Sequence, residues 1–181
     1  MPEPATEPIA APAAEPIAAP AAESSAASAA GPPSLRASAA LVGAGIWFER
    51  RCFEVVGALV ASTPEPRAKA ALSTVSRHHA WRAEQLESVL ARTHDLGPDD
   101  VVRPVAGFDD EALVALGEAE PTPDRLAALD RLLGAWVDHL TAHRARLSPV
   151  ADAPLARVLD LVVDDLRRDR AALAGAPGSA P

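Results

Sequence analysis

Residues 76–85 read SRHHAWRAEQ. They lie inside a run whose larger apolar residues recur at three and four, through Leu72, Val75, His79, Ala83, Leu86 and Leu90. That spacing is the stripe of an amphipathic helix, and His79 stands where leucine would be ordinary. A buried polar group without a partner costs several kcal/mol, on the order of 2–7, so the imidazole needs another residue or an ion. Finding that partner requires the rest of the chain.

The same rhythm fills the sequence on both sides, and no stretch alternates with a strand's period. A first helix is expected over 34–62, with stripe Val42, Ile46, Glu49, Phe53, Val56 and Val60. Thr63 is placed to cap the second, with Pro64 and Pro66 in its first turn, where missing N–H groups cost little. The second helix is expected to end near Arg92. Gly97, Pro98, Pro104 and Pro121 break residues 93–122 into a long connection with a short helical piece over 109–118. Thr122 and Pro123 open a third helix, with stripe Leu126, Leu129, Leu133, Trp136, Leu140, His143 and Leu147. SPVADAP makes a tight turn, and Asp152 caps a fourth helix through Leu173, with stripe Leu155, Val158, Val162, Asp165 and Asp169. Two short turns force antiparallel hairpins, while the long link leaves the second and third helices parallel. The expectation is an all-α four-helix bundle over 34–175 with a long crossover.

The ends read differently. Residues 1–33 hold only Ala, Pro, Glu, Ser, Thr, Ile and Gly after the first Met, with EPIAAPAA twice in tandem at 7–14 and 15–22. Recurrent proline and the lack of large apolar groups predict a disordered tail, a candidate spacer or tether for a protein partner. Residues 176–181 read as a frayed end. The formal charge is −8, and four of the tail's glutamates supply half of it. The folded part is therefore only mildly acidic, which argues against nucleic acid. No apolar stretch is long enough to span a membrane, and the lone Cys52 fits a reducing compartment, so a soluble cytoplasmic protein is expected.

Glu49 lies 15 residues before Pro64 and His79 lies 15 after it. At about 1.5 Å per residue both fall roughly 22 Å from the first turn. In the second hairpin His139 is 12 residues before Ala151, with Asp164 and Asp165 at 13 and 14 after it. Two hairpins thus place ionisable groups at one depth. His139 and His143 add an HxxxH spacing, one turn apart on one face. Carboxylates and imidazoles together are ligands for iron, manganese or zinc, which makes Glu49, His79, His139, His143 and Asp165 the candidate metal set.

On these residues the chain resembles the ferritin-like superfamily, whose di-iron members carry Glu, Glu-x-x-His, Glu and Glu-x-x-His on successive helices. Glu49 matches the first position and His79 the histidine of the second. Ser76 stands where the helix-two glutamate belongs, helix three offers Asp138 or His139, and Asp165 is followed by Arg168 in place of histidine. The resemblance implies a degenerate His/carboxylate site with iron or manganese, metal-assisted redox chemistry, and a homodimer paired through the first helix. A second resemblance is to DinB-like bundles, some of them thiol-dependent transferases. There His79, His139 and His143 would hold one metal, and DHLTAHRARL is similar to that family's later motif.

Plainer readings stand beside these. A Glu49–His79 hydrogen bond explains both residues without a metal. An internal ion pair of Asp165 or Glu49 with Arg168 would replace metal charge, leaving a non-catalytic interaction bundle. His78 is expected to face solvent or the third helix, His94 the surface; Trp81 and Trp136 are read as packing residues, and Cys52 as an inert thiol.

Overall fold

A computed structural model describes residues 33–94 and 96–176. The expected tail and the last five residues lie outside them, apart from Pro33. Among the described residues the chain is all-α, with six helices and no strand. Four helices are long: α1 (Leu35–Ser62), α2 (Pro66–Glu87), α5 (Thr122–Arg144) and α6 (Ala153–Ala174). Two short ones, α3 (Pro98–Val101) and α4 (Asp110–Glu118), sit in the connection.

Several ends differ from the sequence expectation for local reasons. Ser34 caps α1 by accepting from the Ala37 amide at 3.2 Å. Thr63 does not cap α2; its hydroxyl donates back to the Leu59 carbonyl at 2.7 Å and closes α1 instead, while Glu65 precedes Pro66 at the start of α2. α2 stops at Glu87, five residues before Arg92. Asp109 caps α4 as a side-chain acceptor for Ala112. Thr122 is the first residue of α5, not its cap.

Cross-links fix the helix directions. Glu49 meets Arg82, and one turn along α1 the Phe53 carbonyl meets Ser76, so α1 and α2 are antiparallel. Glu49 also meets Trp136 while Ser62 meets Arg125, which makes α5 antiparallel to α1 and therefore parallel to α2. Asp130–Arg170 and Arg144–Asp160 pair α5 with α6 in opposite directions. His78–Asp169 and Arg82–Asp165 do the same for α2 and α6.

The core runs between these helices and is mostly Leu, Val and Ala, with a compact aromatic group at one side. Trp136 is fully buried, with its ring 4.4 Å from Phe48 and 4.9 Å from Phe108. Such pairs contribute about 0.5–1.5 kcal/mol each beyond their area. Phe108 belongs to the connection, so this group pins the crossover to the helices. Gly43 does so a second time: a Cβ there would lie 2.2 Å from the Val101 carbonyl oxygen, so only glycine lets α3 rest on the α1 backbone.

Candidate functional site

Glu49, on the inner face of α1, has both carboxylate oxygens engaged. Oε1 accepts from the Trp136 indole at 3.0 Å. Oε2 lies 2.6 Å from Nδ1 of His79 and accepts from Nε of Arg82 at 2.9 Å. Glu49, His79 and Arg82 are each fully buried. The expected Glu49–His79 contact therefore exists, with a third member that the sequence reading left out.

Arg82 lies one turn after His79 on α2. Its NH1 atom donates to Oδ2 of Asp165 at 2.6 Å and to Oδ2 of Asp169 at 2.7 Å. One planar guanidinium thus ties α1, through Glu49, to two carboxylates of α6. This is the geometry that arginine's fork of donors supplies and lysine's single ammonium does not. Asp169 continues the chain outward, with Oδ1 2.7 Å from Nδ1 of the half-exposed His78. His78 consequently faces α6, not solvent alone or α5.

The electrostatics follow from these contacts. Burial alone would raise the Glu49 carboxyl, but the charges and hydrogen bonds of Arg82 and His79 outweigh it and hold the group at about 2. Burial likewise opposes the Arg82 charge, and Glu49 and Asp169 more than restore it. His79 is pushed below its ordinary value, chiefly by burial, so the imidazole is neutral at pH 7. Its Nδ1 is shared between the anionic Oε2 of Glu49 at 2.6 Å and, at 2.9 Å, NH2 of Arg82, which can only donate; Nε2 is left outside these contacts. That Nε2 has no partner among the described residues.

His139 and His143 lie apart from this network. Trp136 stands between, its indole edge on Glu49 and its face stacked on the His139 ring at 5.1 Å and 11°. Nε2 of His139 and both ring nitrogens of His143 are buried without hydrogen-bond partners among the described residues. Burial lowers His139, and burial with Arg146 and His139 nearby lowers His143 to about 4. Of the five candidate residues, then, Glu49, His79 and Asp165 share one polar network, which Arg82 holds together, while His139 and His143 form a separate pair.

The other candidates resolve simply. Arg168 is exposed, so the internal cation is Arg82. Ser76 donates to the Phe53 carbonyl at 2.9 Å and cross-links helices where the ferritin pattern has a ligand. Asp138 and His94 are exposed, as is Asp164, which pairs with Arg167. Trp81 is partly exposed and Trp136 is core, so only one of the two tryptophans packs as expected. Cys52 is buried, and burial raises its thiol well above the ordinary value, which leaves it inert.

A di-iron or di-manganese group does not fit these residues. Both Glu49 oxygens are occupied, and the permanently charged Arg82 lies between Glu49 and the α6 carboxylates, where a bridging ion would sit. No family model matches the chain, and no match was found among curated proteins or solved structures. No described helix is long and apolar enough to cross a membrane.

Proposed function

We propose that this chain is a four-helix bundle of ferritin-like connectivity whose polar centre is a structural clamp, and that it works as a non-catalytic interaction module. The single observation carrying this is Arg82, which bonds Glu49, Asp165 and Asp169 at once from a fully buried position. The guanidinium supplies the positive charge that a metal ion supplies in di-iron bundles, and it spans three carboxylates on two helices. An interior closed in this way leaves the surface as the working part. The parallel α2 and α5, joined by the long connection, support the ferritin-like connectivity.

The DinB-like reading requires His79 to meet His139 and His143, and the position of Trp136 between them speaks against it.

The test uses the full chain stripped with EDTA. The proposal expects cooperative unfolding in the stripped protein and a large loss of stability in Arg82→Met. A stripped protein without a cooperative transition, or an Arg82→Met variant as stable as the parent, would overturn it.

A further inference from the structure

The clamp does not use all of its carboxylate oxygens. Arg82 takes Oδ2 of Asp165 and Oδ2 of Asp169, and each residue retains an Oδ1. On Asp169 that atom turns to His78. One ligand atom from each of His78, Asp165 and Asp169 lies within 4.8 Å of the other two. The group sits where α2 and α6 meet solvent: the His78 side chain is 42% exposed, that of Asp165 16% and that of Asp169 4%. Fixed carboxylates on one helix thus meet an accessible imidazole on its neighbour.

Charge points the same way. Three carboxylates converge on Arg82, and its one guanidinium does not balance them. The innermost, Glu49, is the most enclosed by donors, which leaves the surplus at the outer end. A divalent cation at that end would supply the missing positive charge.

We infer that His78, Asp165 and Asp169 bind a divalent transition-metal ion at the outer mouth of the network, between α2 and α6. One imidazole with two carboxylates suits manganese, iron or zinc, and the exposed side of the site leaves the remaining positions to water. Arg82 serves this site from behind. It orients both carboxylates through the oxygens the ion does not need, which is the role outer-shell hydrogen bonds play in metal sites. The site differs from the five-residue set expected from sequence, since it excludes Glu49, His79, His139 and His143 and adds His78 and Asp169.

The experiment is calorimetric titration of the full chain, without a histidine tag and stripped with EDTA, using zinc chloride and manganese chloride separately. The expected result is one ion per chain for at least one of the two metals. His78→Ala and Asp165→Asn should each weaken binding at least tenfold, and a His139→Ala/His143→Ala double variant should bind as the parent does. Circular dichroism checks that the variants are folded. If Asp165→Asn fails to fold, His78→Ala decides, because its ring is half in solvent and lies outside the buried clamp. No binding of either ion, undiminished binding in His78→Ala, or loss of binding in the double variant would each overturn the site. None of these outcomes bears on the clamp, which Arg82→Met tests without metal.

Discussion

Nε of Arg82 lies 2.9 Å from Oε2 of Glu49, and neither side chain has any exposed surface. Removing one member of a buried ion pair strands the other in the interior, at a cost of about 3–5 kcal/mol. Arg82→Met should show a loss of that size in urea unfolding. Arg82→Lys should recover little, because one ammonium cannot reach Glu49 and both aspartates together. A double-mutant cycle of Glu49→Gln with Arg82→Met should give a coupling energy of about 1–3 kcal/mol.

Trp136 supplies the only hydrogen bond to Oε1 of Glu49 among the described residues. In Trp136→Phe the ring still packs against Phe48 and Phe108, but that oxygen loses its donor. Stability should fall by about 1–3 kcal/mol, the cost of an unsatisfied buried acceptor plus a small volume loss. Glu49→Gln should reduce this effect in combination, since a neutral amide oxygen needs its donor less. Thermal unfolding of the three variants measures it.

Acid should unfold the protein in two stages. His143, held at about 4, and the lowered His79 stay neutral in the fold while the unfolded chain takes up protons below about 6.5. A group with this depression contributes stability that is lost as pH falls from 6.5 toward the folded value. Glu49, at about 2 against an ordinary 4.5, adds a loss from about 4.5 down to 2. Each group contributes a slope of at most about 1.4 kcal/mol per pH unit. His143→Leu should flatten the upper stage, and at pH 7 it should be neutral or stabilising, because it removes two unpartnered buried nitrogens. Urea midpoints measured from pH 8 to pH 3 test both stages.

Gly43→Ala separates local propensity from packing. Alanine in a helix interior is favoured over glycine by about 1 kcal/mol. Here its Cβ would meet the backbone oxygen of Val101 at 2.2 Å, and backbone cannot swing aside as a side chain does. A net loss of about 1–3 kcal/mol is expected in chemical denaturation.

The long helices were legible because their apolar stripes repeat over five or more turns, as in Leu126 to Leu147. Helix starts were less so: Thr63 and Thr122 have capping side chains, yet Thr63 serves the preceding helix and Thr122 sits one position inside its own. The common depth of Glu49, His79 and Asp165 could be counted from the turns, and those three share a network. Arg82 could have been found the same way. The three-four rhythm from Val75 and His79 reaches 82 as readily as 83, and carboxylates on facing helices require a cation between them. An arginine beside an alanine on a helix normally reads as solvated, and the sequence alone points to Arg168 instead. That His139 lies beyond Trp136 was not legible, since depth along a bundle says nothing about which side of a large ring a residue occupies.

The Arg82 side-chain Nε–H signal in a nitrogen–proton NMR spectrum tests the clamp most directly. At pH 8.5 surface guanidinium protons exchange too fast to be seen. A guanidinium enclosed by Glu49, Asp165 and Asp169 should keep a sharp, slowly exchanging Nε–H that shifts in Glu49→Gln and is missing in Arg82→Met. An Arg82 signal that exchanges as fast as those of the surface arginines would contradict the account.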